Sequence, residues 1–311
     1  MGRYVKFIYN PKAGEAAIRD RLDDIIAVYQ ERGYTIIPYR LDFKGDTAGM
    51  IAGLDADAYD HILLAGGDGT VNYIVNLLKN NNVDIPIAIL PAGTANDFAM
   101  MLGTPQGDVT YMCRAILDGE TTSVDIGKVN GNYFVNVFSC GLFTDISQKT
   151  PTILKNTFGK LAYYVSGIGE LARYRKMEVK IETDGGDFEG KCFLFLVFNG
   201  KTAGTLRLAY LSKVDDGLLD LLVIKGTGPF KTIQTALRYL VQIQSGNASS
   251  YPSGVEHIRC SRLRAESKTS ETTDIDGQPG PGFPLEITCE KNALRVIIPR
   301  QEQKKKKRAE R

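Results

Sequence analysis

The sequence predicts an α/β domain followed by a β-rich domain of sandwich or barrel type. Three observations carry that expectation. Strand-like and helix-like segments alternate through the first third, the mark of parallel βαβ units with helices on both sheet faces. After about Leu117 the pattern changes to strands joined by glycine turns, which reads as a separate antiparallel domain. The chain has 311 residues, a length that favours two domains over one.

The elements follow in order. Tyr4 to Tyr9 is a β-rich run ending in the turn Asn10-Pro-Lys-Ala-Gly14. Ile18, Leu22, Ile25, Ile26 and Tyr29 recur at helical spacing, and Gly33 stops that helix. Tyr34 to Tyr39 is a second strand, Asp46-Thr47 caps a short helix, and His61 to Ala65 is a buried third strand. A helix over Val71 to Leu78 and a strand over Ile87 to Leu90 complete the alternation. Beyond it, Val124–Val129 and Tyr133–Phe138 flank Asn130-Gly131, a strong hairpin signal. Glu178–Thr183 and Lys191–Phe198 flank Asp184-Gly-Gly186 in the same way. Further strands are expected at Leu219–Ile224, Gly254–Ala265, Leu285–Cys289 and Leu294–Ile298. Two helices interrupt them, one carrying Leu161, Tyr164, Val165, Ile168 and Leu171, the other Ile233, Leu237, Leu240 and Val241.

Composition excludes several classes. The chain is 43% hydrophobic and 24% charged, so it is not a disordered segment. Its longest apolar run, Cys192–Phe198, is far too short for a membrane helix, and the first residues lack a signal-peptide pattern. The five widely spaced cysteines form no C-x-x-C pair, which points to reduced thiols in the cytoplasm. With only two histidines, His61 and His257, a histidine-rich metal cluster is excluded. Residues 301–311 hold six basic and two acidic residues. The rest of the chain is nearly neutral, which argues against nucleic acid as a partner. The run Lys304–Arg308 suits an anionic membrane surface, or is simply a solvated end.

Two segments carry chemistry. In His61-Ile-Leu-Leu-Ala-Gly66-Gly67-Asp68-Gly69-Thr70-Val71-Asn72 a buried strand ends in three glycines and an acid, and a helix begins at once. Glycines let a phosphate approach the backbone, and the helix start offers N–H donors. Asp68 could hold a magnesium ion, directly or through water. The second segment is Leu90-Pro91-Ala92-Gly93-Thr94-Ala95-Asn96-Asp97-Phe98-Ala99, where Thr94 or Asn96 can cap the next helix. Both turns follow strands of one open sheet, where ligands of such folds bind. Two glycine–threonine turns side by side suit a nucleoside triphosphate. No dinucleotide fingerprint, G-x-x-x-x-G-K-[ST] loop or protein-kinase signature is present.

These two segments together resemble the diacylglycerol kinase catalytic-domain family, most closely its soluble bacterial lipid kinases, relatives of sphingosine and ceramide kinases. Asn10-Pro-Lys-Ala-Gly14, Asp125-Ile-Gly-Lys-Val-Asn130, Asp215-Asp-Gly-Leu-Leu219 and Asp274-Ile-Asp-Gly277 extend the similarity over nearly the whole chain. The resemblance implies a phosphofructokinase/NAD-kinase-like α/β domain over residues 1–122, with residues 292–311 returning to it. A β-sandwich-type domain spans residues 123–291, and lipid and ATP meet in the cleft. It implies an ATP-dependent, magnesium-requiring transfer of the γ-phosphate to a lipid hydroxyl, in phospholipid biosynthesis. ATP then contacts Asn10, Pro11, Lys12, Ala13, Gly14, Gly66, Gly67, Asp68, Gly69, Thr70, Val71, Asn72 and Thr94. A structural magnesium ion is held by Asp216 with the carbonyls of Lys213 and Leu218. Asp68, Asp97 and Asp125 belong to the metal and active-site network.

Two positions depart from the family. Leu41 stands where a Thr is usual. Gln278 follows Asp276-Gly277 where the family has a Glu, its proposed base; an amide cannot accept a proton at neutral pH. Asp276, on the same turn, is a substitute base or simply a turn acid. The expected partners are ATP and a diacylglycerol-like or sphingoid lipid at the inner membrane surface, with a homodimer compatible. Two alternatives use the same residues: a soluble-substrate kinase of the phosphofructokinase or NAD kinase type, and a catalytically weak nucleotide- or lipid-binding module. Lipid selectivity is expected from the pocket between Phe143 and Tyr174.

Overall fold

The computed structural model describes residues 3–13, 18–42, 45–105, 107–141, 176–204, 207–226, 231, 235, 238–239, 242 and 250–300. The helix expected around Leu161–Leu171, the face residues Ile233, Leu237, Leu240 and Val241 of the other expected helix, the pair Phe143 and Tyr174, Gly14 and the basic tail lie outside them. The chain forms two compact units. One comprises residues 1–71, 77–122 and 295–311; the other comprises residues 72–76 and 123–294.

The first unit is built on parallel strands β1 (Arg3–Tyr9), β2 (Tyr34–Arg40), β3 (Tyr59–Gly66) and β4 (Ile87–Pro91). Their order is β4-β3-β1-β2. Helices α1 (Leu22–Glu31), α2 (Thr47–Ala52), α3 (Asp68–Asn80), α4 (Asp97–Met101) and α5 (Val109–Leu117) connect them. β3 is buried without a break from His61 to Gly66, as a parallel strand covered on both faces must be. Val5, Phe7, Leu63, Ala88 and Leu90 pack with Ile25, Val28 and Tyr29 of α1 and with Met112, Cys113 and Ile116 of α5. The sequence placed these strands and the α1 stop well, because Gly33 has φ +77° and only glycine adopts that freely. Asp46 caps α2 as expected, accepting the Gly49 N–H at 2.7 Å.

The second unit is antiparallel. Its strands are β5 (Glu120–Val129), β6 (Asn132–Phe134), β7 (Val137–Gly141), β8 (Met177–Thr183), β9 (Phe188–Phe198), β10 (Leu219–Lys225), β11 (Val255–Cys260), β12 (Arg262–Ser267), β13 (Thr273–Ile275), β14 (Gln278–Pro279) and β15 (Leu285–Ile298). The long strand β9 joins two ribbons: its start pairs with β8, and its end pairs with β7 and β10. Cys192, Phe195 and Val197 face one apolar cluster, and Leu194, Leu196 and Phe198 face another. Burial on both faces explains why Cys192–Phe198 is the longest apolar run of the sequence.

Three strand expectations need correction. The hairpin arm Tyr133–Phe138 is split. β6 pairs with β5 across Asn130-Gly131, whereas β7 leaves to pair with β9 and β13. Gly254–Ala265 is two strands, β11 and β12, broken at Ser261, whose N–H and hydroxyl both donate to Asp184. Leu285–Cys289 and Leu294–Ile298 are the two ends of one strand, β15, which pairs with β12 early and reaches β4 at Val296.

Candidate active site

In the first unit, the chain leaves β1 for β2 on one side and then returns for β3 on the other. This reversal makes the carboxyl ends of β1 and β3 the crevice where open α/β sheets bind ligands. Asn10, immediately after β1, ties the two ends together. Its N–H donates to the Ala65 carbonyl at 2.9 Å, and its side-chain N–H donates to Thr70 Oγ1 at 3.0 Å. Asn10 Oδ1 in turn accepts the Lys12 N–H at 3.0 Å, shaping a loop from which Lys12 is exposed.

The two glycine turns lie side by side, since Gly66 is the register partner of Pro91. They approach backbone to backbone. A Cβ on Gly93 would sit 2.5 Å from the Gly67 Cα, and one on Gly67 would sit 3.0 Å from the Gly93 Cα. A Cβ on Gly66 would meet the Thr70 Cβ at 2.6 Å. Helix α3 starts at Asp68 with Gly67 as its N-cap, so its positive end and unsatisfied N–H groups open beside these turns. Thr94 is exposed on the second turn. Val71, however, donates its N–H to Gly67 and buries its side chain.

The expected cap of α4 by Asn96 or Thr94 is not what forms. Asn96 sits at φ +54°, and its amide closes on Gly93, accepting the Gly93 N–H and donating to the Gly93 carbonyl, both at 2.7 Å. Asp68 caps the helix instead, accepting the Phe98 N–H at 3.1 Å from thirty residues away. Burial raises the Asp68 carboxyl above its ordinary value; the N–H groups of residues 96–98 pull it back, and the nearby Asp97 charge adds to the rise. Asp97 is buried as the first residue of α4. Asp68 and Asp97 are thus brought together at the glycine turns.

In the second unit, Asp276 is the organising acid. Its Oδ1 accepts the N–H groups of Asn136 and Val137 at 3.0 and 2.9 Å. Its Oδ2 accepts Val135 N–H at 2.7 Å and the Asn72 side-chain amide at 2.9 Å. A carboxylate has about four acceptor positions, so Asp276 is saturated. Burial nevertheless pushes its carboxyl up to about 6 against these donors. This clamp is the physical reason the chain breaks between β6 and β7. Asp276-Gly277 is itself a two-residue hairpin turn, with φ +48° and +87°, the backbone a primed turn requires. This geometry is that of a turn acid, with all four acceptor positions of the carboxylate engaged. Gln278 is exposed at the start of β14. Asn72, expected at the nucleotide, also spends its amide on the Tyr133 carbonyl and accepts from Asn76.

Asp125 and Asp216 meet at a third place. The fully buried Asp125 accepts the Gly217 N–H at 2.6 Å and the Asn292 N–H at 2.7 Å. Its own N–H donates to Val214 at 2.8 Å, so it fixes both ends of the 214–217 loop. Asp216 Oδ1 accepts the Leu218 N–H at 3.2 Å, and Oδ2 binds the Arg259 guanidinium. The oxygen donors of Lys213, Asp216 and Leu218 are of the kind a hard cation takes, but here the charge of the acid is already met by Arg259. Both oxygens of Asp216 and both of Asp125 are already engaged by protein donors. Arg259 was not singled out from sequence; the signal available was a lone cation within the alternating strand β11.

Residues 4–129 match the diacylglycerol kinase catalytic domain, and residues 137–298 match the YegS C-terminal NAD kinase beta sandwich-like domain. A diacylglycerol kinase of Bacillus subtilis (strain 168) is 30% identical over 297 residues, covering 95% of this chain and 96% of that one. One of Staphylococcus haemolyticus (strain JCSC1435) is 31% identical over 303 residues, covering 96% and 89%. A crystal structure of a diacylglycerol kinase from Bacillus anthracis str. Sterne superposes with a TM-score of 0.76 at 27% identity, covering 95% of this chain and 97% of that one. These matches bear out the α/β plus β-sandwich-like architecture. The chain belongs to the diacylglycerol kinase family, kinases whose acceptor is an alcohol group.

Proposed function

We propose that this protein transfers the γ-phosphoryl group of magnesium–ATP to a hydroxyl of a diacylglycerol-like or sphingoid lipid. The observation that carries the reading is the pair of glycine turns pressed together at Gly67 and Gly93. Bare backbone and a helix start beside them suit a triphosphate. The nucleotide contacts proposed are Asn10, Pro11, Lys12, Ala13, Gly66, Gly67, Gly69, Thr70 and Thr94, with Lys12 adding an exposed positive charge. Magnesium bound with the nucleotide neutralises charge on the transferring group. Asp68 holds the start of α4 against the turns, and Asp97 is buried beside it.

In the reaction the lipid oxygen bonds to the γ-phosphorus as the bond to the β,γ-bridging oxygen breaks. ADP leaves with the bonding pair, and the hydroxyl proton passes to a phosphate oxygen or to solvent. Such transfer rests on positioning and charge stabilisation more than on a base. The saturation of Asp276 and the amide at Gln278 accord with that. The lipid is reached at the cytoplasmic membrane surface, where the basic run Lys304–Arg308 adds attraction of about 1 kcal/mol per residue. Among the described residues no helix is long and apolar enough to cross a membrane. The phosphorylated lipid then feeds phospholipid biosynthesis.

The test is γ-labelled ATP with mixed micelles of diacylglycerol, monoacylglycerol, sphingosine or ceramide, beside fructose 6-phosphate and NAD. Label in the extracted lipid is expected. Label only in a sugar phosphate or in phosphorylated NAD would refute the lipid assignment.

A further inference from the structure

The 214–218 loop stands where the family resemblance implies a structural magnesium ion, yet a protein cation already occupies its acid. Arg259 binds Asp216 through one guanidinium nitrogen, and its Nε lies 3.8 Å from Asp220 Oδ1. This is not an incidental surface pairing. Arg259 is the register partner of Asp220 across β10 and β11, so the backbone delivers it to that position. Asp220 is fully buried and is held by Ser212 Oγ at 2.6 Å and His257 Nε2 at 2.5 Å. His257 is backed by the Tyr251 ring, with centroids 4.6 Å apart.

We infer that Arg259 is the loop's built-in cation, ordering Asp215–Leu218 in place of a magnesium ion. Each acid around the loop has protein donors on its oxygens: Asp125 has Gly217 and Asn292, Asp216 has Leu218 and Arg259, and Asp220 has Ser212 and His257. A divalent ion at Asp216 would have to displace the guanidinium or sit beside its charge. A planar, always-charged fork bridging two carboxylates is the role arginine fills better than lysine. Ordering of the loop by Arg259 is independent of which lipid is phosphorylated.

The test uses the full chain without nucleotide, so that magnesium bound with ATP does not intervene. Thermal melting is followed across a magnesium series, and manganese binding is measured by electron paramagnetic resonance. Wild type, Arg259→Gln, Arg259→Lys and Asp216→Asn are compared. A ligand that binds only the folded state raises the melting temperature with its concentration. Wild type and Asp216→Asn should share one flat magnesium response. Arg259→Gln should melt lower and gain a saturable response, its manganese affinity exceeding wild type by about tenfold or more. If Arg259→Gln folds only with magnesium present, that equally supports the inference. Saturable magnesium binding by wild type that Asp216→Asn abolishes overturns it, whatever the arginine variants do.

Discussion

Gly93→Ala is the sharpest perturbation of the proposed phosphate turns. The new Cβ would lie 2.5 Å from the Gly67 Cα and 3.0 Å from Asn96 Oδ1. Carbon atoms rest at about 3.5–4.0 Å, so the two turns must part by about 1 Å. Neither obstacle is a yielding side-chain end: one is backbone, and the other is an amide locked by two 2.7 Å hydrogen bonds to Gly93 itself. Gly93 is not among the positive-φ glycines, so the cost comes from contact rather than from backbone strain. Overpacking of this kind costs about 1–3 kcal/mol of stability. A misplacement of about 1 Å in a positioning element lowers turnover on the order of 10²-fold. The assay is kcat/KM for ATP at saturating lipid, with calorimetric melting in parallel. Gly282→Ala is the control, because its Cβ would meet nothing within 4 Å; it should behave as wild type. A Gly93→Ala variant with wild-type kcat/KM for ATP would show that the turns do not cradle the triphosphate.

Asp68→Ala removes the cap of α4, so melting should fall by the equivalent of about 1 kcal/mol while turnover is nearly abolished; unchanged turnover in a folded variant removes Asp68 from the mechanism. Asp276→Asn leaves two of four N–H donors without an acceptor. That costs about 1–3 kcal/mol each, offset in part by removing a carboxylate whose ionisation burial opposes. Calorimetry should show a lower melting temperature, whereas unaltered melting with lost turnover would mark Asp276 as a base after all. Gln278→Glu places a carboxylate at an exposed position with little cost to folding. If a base there matters, turnover should rise by up to about 10²-fold, and an unchanged rate in steady-state assays would show that positioning suffices.

Local pattern made much of this readable in advance. Alternating apolar segments located β1 to β4, and Asn130-Gly131 and Gly33 marked turns whose positive φ values the structure confirms. What escaped was set by partners distant in the chain. Tyr133–Phe138 has the composition of one strand, but three of its N–H groups are taken by a carboxylate about 140 residues later. Asn96 looks like a helix cap, yet Asp68, thirty residues before Phe98, takes that role. Arg259 gains meaning only once β10 and β11 are in register. No window along the sequence contains both members of these pairs.

The acids of the candidate site share a feature that changes how their loss should be interpreted. Asp68 holds α4, Asp125 holds the 214–217 loop and the Asn292 turn, and Asp276 holds the break between β6 and β7. Each does so by accepting backbone N–H groups from another segment, which is expensive to undo when buried. Removing any of them would disturb positioning even if it never touched metal or substrate. An inactive alanine variant therefore cannot by itself assign a chemical role. The informative quantity is the ratio of lost turnover to lost stability. An acid that only braces a loop should lose both together, and a neighbouring change that loosens the same loop should reproduce the effect. An acid that engages the transferring group should lose turnover well beyond its melting cost. Asp97 is the acid on which that measure is best tried. It is buried at the start of α4 beside Asp68, and its replacement by Asn conserves volume at the turn. Asp97→Asn with near wild-type melting and strongly reduced kcat would assign it to the chemistry, whereas parallel losses would make it one more brace.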